Sequence, residues 1–226
     1  MQDDSTRTRI LNAAGEAFAE LGFEKATVRD ICARAQANVA SVNYHFGDKD
    51  KLYLETLMHA HCVRKEEFPM PTWPAGTSPE VRLHDFVRTT FLWMMAPGLP
   101  WQQQLMMREM MQPTGAHRHM VENFIRPHLE MLLSILQELA PPEVPPHRLH
   151  QLAFSVIGQC MFYKCNQQVL ESLIAEPERS QYFTPEYLAA HICEVMLSAL
   201  GRQDSGFGNR GKEWAESLRP RASATD

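Results

Sequence analysis

Four side chains that can form hydrogen bonds lie close together in the sequence: Asn38, Ser41, Asn43 and Tyr44. An asparagine amide both donates and accepts, so it can bond to the edge of a base, and a serine or tyrosine hydroxyl can donate to a phosphate oxygen. The chemistry that these residue types suggest is recognition of a nucleic acid, provided that one structural element presents them together.

Two short predicted helices joined by a tight turn would position these side chains. Thr27 and Asp30 have the spacing of a capping box at the start of the first helix. The turn occupies residues 36–38, Asn38 is a good N-cap for the second helix, and Gly47 ends that helix because glycine tolerates a left-handed backbone. This spacing is typical of a helix-turn-helix, a motif whose second helix docks in the major groove of DNA.

The residue types in this motif are more specific than its spacing. The segment Tyr-His-Phe-Gly-Asp-Lys at residues 44–49, after a helix of small residues, closely resembles the TetR family of bacterial transcriptional regulators. The resemblance is strong over residues 5–64 and continues more weakly to residue 200. Three later segments resemble the C-terminal domain of the CecR-type branch of that family: residues 108–110, 124–127 and 156–160.

The resemblance implies an all-α fold with two domains. Residues 4–64 would form a DNA-binding domain with a three-helix head, its helix-turn-helix at residues 27–46, and residues 65–200 a ligand-binding and dimerisation domain. Residues 201–226 have little apolar content, so we expect a disordered tail. Helical periodicity and proline breaks predict about nine helices, with a kink at Pro127 in the seventh. They are at residues 5–21, 28–35, 39–46, 49–68, 79–96, 101–111, 115–139, 147–174 and 185–200.

The family pattern, carried over residue by residue, implies a surface that faces DNA. Asn38 and Asn43 would bond to bases or phosphates, and Lys49 resembles the family's phosphate-contacting lysine. Thr27 opens a helix whose free N–H groups could meet a phosphate, and Arg29 is a local cation. The residues assigned to DNA are Thr27, Arg29, Asn38, Val39, Ala40, Ser41, Asn43, Tyr44 and Lys49.

Other positions in the motif are assigned to the core or depart from the family pattern. Val42 and Phe46 are four residues apart, and we expect them to pack on the two preceding helices. Gln36 stands at a turn position often held by glycine, and a left-handed backbone there costs about 1 kcal/mol. Ala37 stands where valine is common. Asn43 stands where tyrosine is common, which should alter the phosphate or base that is reached.

Net charge gives no sign of a nucleic-acid partner. The chain carries −5 overall, and residues 1–51 hold seven Lys/Arg against eight Asp/Glu. Phosphate contacts must therefore come from a few locally placed groups, and nonspecific affinity for DNA should be modest. No apolar run approaches the ~18 residues that span a bilayer. Because the N-terminus is also polar, without the features of a signal peptide, we expect a cytoplasmic protein.

Eight methionines between residues 94 and 131 suggest a pocket for a small hydrophobic effector, because methionine adapts to irregular apolar partners. Aromatic side chains would form its walls, and Arg108, Gln159 and Glu109 would be candidate polar anchors. Methionines at helical spacing are also compatible with an ordinary core. The residues assigned to the ligand are Trp101, Met106, Arg108, Met110, Met111, Phe124, Gln159, Phe162 and Tyr163.

The last two predicted helices are the expected dimer interface. In the family that this chain resembles, two such helices from each protomer form a four-helix bundle. Apolar residues on both helices have the spacing that such a bundle needs, although some must face the protomer's own core. The residues assigned to this interface are Leu149, Leu152, Ala153, Val156, Ile157, Ile192, Val195, Met196 and Ala199.

Metal binding and catalysis are not favoured by the residue spacing. His59 and His61 are two residues apart and so diverge on a helix, whereas His147 and His150 share a face but lack further ligands. No Ser/His/Asp spacing, Gly-rich phosphate loop or paired carboxylates indicate an active site. We expect no metal, no cofactor and no enzymatic activity.

Five cysteines, with no Cys-x-x-Cys pair, argue against a disulfide framework. We expect Cys32, Cys62 and Cys193 to pack as small apolar residues. Cys160 and Cys165 are five residues apart and should lie on different helix faces.

Together these features predict a sequence-specific transcriptional repressor that a small hydrophobic ligand releases from its operator. A twofold homodimer would set two recognition helices ~34–36 Å apart and so read a near-palindromic site in double-stranded DNA. Two alternatives within this class are an activator and a repressor that needs a corepressor. A hypothesis from another class is a helical small-molecule-binding protein, or an enzyme built on a bundle, that no longer reads DNA. The acidic net charge is its best support.

Overall fold

The computed structural model describes residues 2–95 and 100–202, without the side chains of residues 2–5, 63–65, 67 and 100. Within those ranges every regular element is helical, which confirms the predicted all-α class. Two predictions lie outside the described residues: the disorder of the tail from residue 203 and the break at residues 97–99.

Twelve α-helices and one π-helical turn make up the described residues. In chain order they are α1 (Gln2–Lys25), α2 (Val28–Ala35), α3 (Val39–Phe46), α4 (Lys49–Glu67), α5 (Pro79–Met95), α6 (Pro100–Met111), α7 (His117–Met120), the π-turn (Val121–Ile125), α8 (Arg126–Leu139), α9 (Pro146–Cys165), α10 (Gln167–Leu173), α11 (Glu178–Tyr182) and α12 (Pro185–Ala199).

Two predicted helices are divided in the structure. The helix expected at residues 115–139 contains the π-turn, where the Arg126 N–H bonds to the Val121 carbonyl five residues back. Pro127 follows directly and has no N–H of its own to give, so the irregularity expected at this proline takes the form of a π-turn. The helix expected at residues 147–174 breaks at Asn166, whose side-chain amide donates to the Phe162 carbonyl at 2.9 Å. Such local bonds compete with the helix ladder.

The chain folds into two compact units, and each unit is made of two separate segments of the sequence. Among the described residues, the first consists of residues 2–69 and 100–128, and the second of residues 70–95 and 129–202. These boundaries differ from the predicted domains at residues 4–64 and 65–200, because α6 and the residues after it pack with the N-terminal helices. Packing between helices, which no sequence boundary marks, decides this division.

Each unit has its own apolar core. In the first unit, residues from α1, α2, α3 and α4 surround Phe18 and Leu57, and α6 adds Trp101 and Leu105 to the same cluster. In the second unit, α5, α8, α9 and α12 enclose a cluster that includes Phe91. The helix-turn-helix is therefore packed into a core that extends beyond the N-terminal domain expected from sequence.

The cysteines follow the predicted environments except for one. Cys32 and Cys193 are buried, but Cys62 is exposed, so the prediction that it packs as a small apolar residue is wrong. Cys62 lies toward the end of α4. Cys160 is buried and Cys165 is exposed, which confirms that they lie on different faces.

None of the helices in the described ranges combines the length and the hydropathy that crossing a bilayer requires.

Gly22 bends α1, where the sequence suggested that the helix would end. Its backbone has φ 82° and ψ 166°, a region almost restricted to glycine, and residues beyond it are still helical to Lys25. A methyl group at this position would lie 2.7 Å from Nη1 of Arg108.

We expect Gly22→Ala to lower the free energy of unfolding by about 1 to 3 kcal/mol, from backbone strain and the displaced guanidinium. Urea denaturation measures this. The matched control is Gly115→Ala, where an added methyl group has no neighbour within 4 Å and no positive φ is involved. Equal stability of the two variants would contradict the prediction.

Candidate nucleic-acid interface

The local geometry of the helix-turn-helix is built by side chains that cap its helices. The Thr27 hydroxyl oxygen accepts from the Asp30 N–H at 3.2 Å, and the Asp30 carboxylate accepts from the Thr27 N–H at 3.2 Å. This is the predicted capping box. Gln36 takes the left-handed turn position with φ 49°, which confirms that this chain uses a non-glycine residue there.

The second helix of the motif, α3, is fixed at both ends. The Asn38 side-chain oxygen accepts from the Ser41 N–H at 2.7 Å, as predicted for an N-cap. At the other end Gly47, with φ 83°, donates its N–H to the Asn43 carbonyl. Because both ends are satisfied locally, a helix of only eight residues can hold its side chains in fixed directions.

One face of α3 anchors the helix and the other is open. Val42 and Phe46 are buried in the core of the first unit, as predicted. On the opposite side Asn43 is exposed and Tyr44 is 78% exposed. Val39 and Ala40, at the start of the helix, are also exposed. The structure thus presents polar and small apolar groups side by side, a combination that can read base edges and thymine methyls.

Some of the residues assigned to DNA are already engaged within the protein. The Thr27 hydroxyl donates to Asp30 at 2.6 Å, and the Ser41 hydroxyl donates to Asn38 at 3.0 Å. A phosphate needs a donor, and these two hydroxyl protons are used locally. Asn38 accepts both bonds through its oxygen, which leaves its NH₂ group for a base or a phosphate.

The two cations assigned to phosphate have different surroundings. Arg29 is exposed on α2, and the described residues offer it no ion pair. Lys49 donates to the Glu24 carbonyl at 3.3 Å and lies over the ring of Phe23, 4.5 Å from its centroid. An ammonium group has three donors, so Lys49 could contact a phosphate while it keeps this bond to α1.

Acidic groups at the ends of the motif limit its attraction for phosphate. Hydrogen bonds from the Thr27 side chain and N–H lower the pKa of Asp30. The hydrogen bond from the Lys51 N–H is the largest of several causes that lower the pKa of Asp48, the residue that caps α4. Both carboxylates therefore remain charged at neutral pH. A nucleic acid at this surface would have to be bound by directed contacts from α3 more than by net positive charge.

The residues assigned to the effector pocket are divided between the two units. In the first unit, Trp101 and Phe124 are buried, with Phe124 stacked on His61 at 4.1 Å between ring centroids. Met110 is exposed, and Met111 is 77% exposed. Met106 is partly buried against the core of this unit, and Arg108 reaches the end of α1.

The remaining effector residues belong to the second unit. Tyr163 packs against its core, Gln159 is half-buried on α9, and Phe162 is 51% exposed. The eight methionines are likewise spread over both units. Neither unit by itself brings the assigned residues together, because apolar periodicity reports that a residue packs but not on which neighbour.

Glu109, considered as an anchor for a ligand, has another role. Its side chain is completely buried, and its oxygens accept from the Tyr53 hydroxyl at 2.7 Å and from the Thr114 N–H at 2.9 Å. The Thr114 hydroxyl adds bonds at 3.0 and 3.1 Å. This network ties α6 to α4. The sequence signal for it is weak, since Tyr53 and Glu109 are 56 residues apart.

The expected dimer residues face mainly inward. Six of them, Leu149, Leu152, Ala153, Val156, Ile192 and Met196, lie in the core of the second unit, and Ile157 is half-buried. These six are therefore among the residues of the set that face the protomer's own core, as was expected for some of them. Only Val195 and Ala199 of the assigned set are exposed. A helix with two apolar faces gives no sign in sequence of which one is covered by its own chain.

The exposed apolar stripe on α9 consists of residues that were not predicted to lie in the interface. Phe154 is 59% exposed, Gly158 is exposed, and Phe162 follows at the same interval of four residues. Residues at this interval share a helix face. Their repeat is a sequence signal that could have identified the stripe.

Metal chemistry finds no support in the part of the chain that is described: it holds no group of three or more His, Cys, Asp or Glu side chains that could bind an ion.

Comparison with known families agrees with this geometry. The model of the C-terminal domain of the HTH-type transcriptional dual regulator CecR matches residues 79–200, and the model of bacterial regulatory proteins of the tetR family matches residues 10–56. The second match covers the helix-turn-helix and its capping residues.

Similar individual proteins match over shorter stretches. The HTH-type transcriptional repressor NicS of Pseudomonas putida is 37% identical over 61 residues, 27% of this chain and 29% of NicS. The dual regulator CecR of Shigella flexneri is 37% identical over 54 residues, 24% of each chain. The chain thus spans less than a third of the length of either relative.

Solved structures share the fold over most of the chain. A bacterial regulatory protein in the tetR family from Rhodococcus RHA1 has a TM-score of 0.61 and 17% identity, over 86% of this chain and 96% of its own. At such low identity the likeness shows the fold alone.

Proposed function

Because this chain belongs to the TetR family of bacterial regulatory proteins, with a C-terminal domain of the CecR type, we propose that it is a transcriptional repressor that reads its operator with α3. The observation that carries the proposal is the two-sided character of this helix. Buried Val42 and Phe46 hold it in the core, and exposed Asn43 and Tyr44 face away from it.

The sign of regulation is supported by the relatives. NicS is named a repressor, which favours repression here, whereas CecR is named a dual regulator. Activation at some promoters is therefore the second candidate, and the match to the CecR C-terminal domain is what favours it.

The response to a small hydrophobic effector is part of the same proposal. Its support is the concentration of eight methionines between residues 94 and 131, since such side chains adapt to varied apolar ligands. An effector can release the operator only by binding the DNA-incompetent state more tightly, and a coupling of about 1 to 3 kcal/mol would suffice.

The first test is selection of genomic fragments by the purified protein, followed by operator binding with variants of α3. We expect a short near-palindromic site. Asn43→Ala and Tyr44→Ala should each weaken binding to it by about tenfold or more, because a lost base or phosphate contact costs roughly 1 to 3 kcal/mol. Fluorescence anisotropy with labelled operator measures the loss.

The control variant is Gln104→Ala, an exposed polar residue on α6 in the same unit. It should bind the operator as the wild-type protein does. Unchanged affinity in both α3 variants would remove α3 as the reading helix. Retention of no particular sequence would favour the alternative of a helical binding protein without DNA recognition.

We further propose that a homodimer forms through the outer faces of α9 and α12, around Phe154, Gly158, Phe162 and Val195. The two phenylalanines are more than half exposed in the single chain, and Gly158 lies between them, where two helices could approach closely. A four-helix bundle would cover this stripe.

Phe154→Glu should convert the dimer to a monomer and reduce operator affinity by about a hundredfold or more, since buried charge at a helix interface is costly and one head binds half a site. Light scattering coupled to size exclusion gives the mass. Val81→Glu, on an exposed apolar residue of α5, is the matched control and should stay dimeric. A Phe154→Glu protein that remains dimeric would place the interface elsewhere.

A further inference from the structure

A cavity of about 540 Å³ lies in the first unit, between the end of α1, the start of α4 and the end of α6 with the loop after it. This volume is in the range of small-molecule sites, roughly 300 to 1,000 Å³. It is separate from the α3 face, and Arg108 is the one residue of its lining that was predicted to contact an effector.

One part of the cavity wall is apolar and aromatic, and the rest is glycine or polar. Leu21 and Phe23 contribute from α1, Tyr53 from α4, and Pro113 from the loop. The rings of Phe23 and Tyr53 meet edge to face, with centroids 5.0 Å apart. The Tyr53 hydroxyl is bonded to buried Glu109, so this wall is held in place by the network between α4 and α6.

Arg108 supplies a cation at the edge of this apolar space. Its guanidinium donates to the Glu20 carbonyl at 3.3 Å, and the described residues give it no ion pair. Gly22 makes the position possible, because a side chain there would collide with Nη1. A guanidinium has five N–H donors in a planar fork, so most of its bonding capacity remains available.

The charged groups around this cation are of both signs. Glu109 adjoins it in sequence, but the Glu109 oxygens accept from Tyr53 and Thr114. Lys25 also lines the cavity and adds positive charge, while Glu24 is the acidic residue on the lining. A partly apolar cavity, with a planar cation at its edge that forms no ion pair with the described residues, fits a compact ligand that carries a carboxylate.

We propose that this cavity binds a small carboxylate, with its anionic group on Arg108 and its apolar part against Phe23 and Tyr53. The proposal deepens the function proposed above by naming a ligand class. Its regulatory meaning rests on that function, whereas binding of the ligand does not. Phe23 also contacts Lys49, and Lys49 is bonded to the Glu24 carbonyl. A ligand in the cavity would therefore touch the residues that hold the start of α4.

The test uses the full-length ¹⁵N-labelled protein without DNA, titrated with sodium benzoate and, separately, with benzamide. Benzamide has the same ring and no charge. We expect benzoate to shift the Gly22 and Gly115 amide signals and the Arg108 side-chain Nε–H signal in a saturable manner. Benzamide should bind at least about tenfold more weakly than benzoate, because it cannot form the charge-assisted bond to Arg108.

The variants assign the effect to one side chain. Arg108→Gln should weaken benzoate binding by about tenfold or more, and Arg108→Lys should retain part of it. Arg118→Gln changes an exposed arginine of the same unit and should bind as the wild-type protein does. Thermal melts of each variant confirm that the fold is intact.

Three results would overturn the proposal: no saturable shift with benzoate, equal binding of benzamide, or unchanged binding in Arg108→Gln. Operator affinity is measured on the same preparations. A protein that binds its operator and not benzoate contradicts the cavity site alone, whereas one that binds benzoate and no operator contradicts the repressor function alone.

Discussion

Trp101→Ala is expected to lower the free energy of unfolding by about 3 to 5 kcal/mol, the range for removing a buried tryptophan. Trp101 is 6% exposed in the core of the first unit, and it stacks on His59 with ring centroids 6.4 Å apart. It packs directly on Gly15 of α1, where an added Cβ would lie 2.3 Å from two ring carbons. The loss should appear as a lower urea midpoint at fixed protein concentration.

The contact between Trp101 and Gly15 can be isolated with a double-mutant cycle. Gly15→Ala alone should destabilise the protein by about 1 to 3 kcal/mol, because the ring must move. In the Trp101→Ala background the same change should be neutral or stabilising, since alanine is favoured over glycine in a helix by about 1 kcal/mol. The two changes should therefore be strongly non-additive.

In the control cycle, Gly115→Ala takes the place of Gly15→Ala, because Gly115 has open space around it. Its effect should be the same in both backgrounds. Additive effects of Gly15→Ala and Trp101→Ala would mean that the ring does not rest on Gly15, and that α6 is attached to α1 in some other way.

Glu109→Ala is the second large effect, with an expected loss of about 3 kcal/mol or more. The substitution leaves the Tyr53 hydroxyl and the Thr114 N–H without their acceptor, and each unsatisfied buried donor costs roughly 1 to 3 kcal/mol. Glu109→Gln should cost much less, because the amide oxygen can still accept from Thr114 and the Tyr53 oxygen can accept from the amide NH₂. Similar losses in both variants would show that side-chain volume matters more than the bonds.

The same network predicts a pH dependence. Burial, followed by the hydrogen bond and charge of Glu109, raises the pKa of Tyr53 well above its ordinary value. The unfolded chain therefore loses the tyrosine proton first, so this contribution to stability is present below about pH 10 and is lost as pH rises above it. Burial of the Cys160 thiol, which raises its pKa to about 12, acts in the same direction.

A comparison of variants separates Tyr53 from the other groups. Tyr53→Phe should be less stable at pH 8, and its stability should fall less steeply between about pH 9 and 11. Tyr182→Phe, on a residue that is 47% exposed, should follow the wild-type curve. Parallel curves for Tyr53→Phe and the wild-type protein would contradict the role given to Tyr53.

The sequence alone was sufficient for the helix-turn-helix. Thr27 with Asp30, Asn38 with Ser41, and Gly47 act within a few residues of one another. Caps and tight turns are local, so their residue types and spacing specify them without any distant partner. The buried positions of Val42 and Phe46 followed for the same reason, since a helix of eight residues has only one face to bury.

Residues with distant partners could not be placed in this way. Trp101 was assigned to an effector pocket and lies in the core of the first unit, while Leu152 and Val156 were assigned to a dimer interface and lie in the core of the second. An apolar helical stripe shows that a face is covered but not by which neighbour.

Only tertiary structure decided that α6 packs on α1, that Tyr53 bonds to Glu109, and that the Arg108 side chain lies against Gly22. These contacts join residues 56 to 88 positions apart. The periodicity of one helix contains no information about another so far along the chain. Local capping chemistry therefore determined the DNA-reading motif, whereas packing between distant helices determined what supports it and where a ligand could bind.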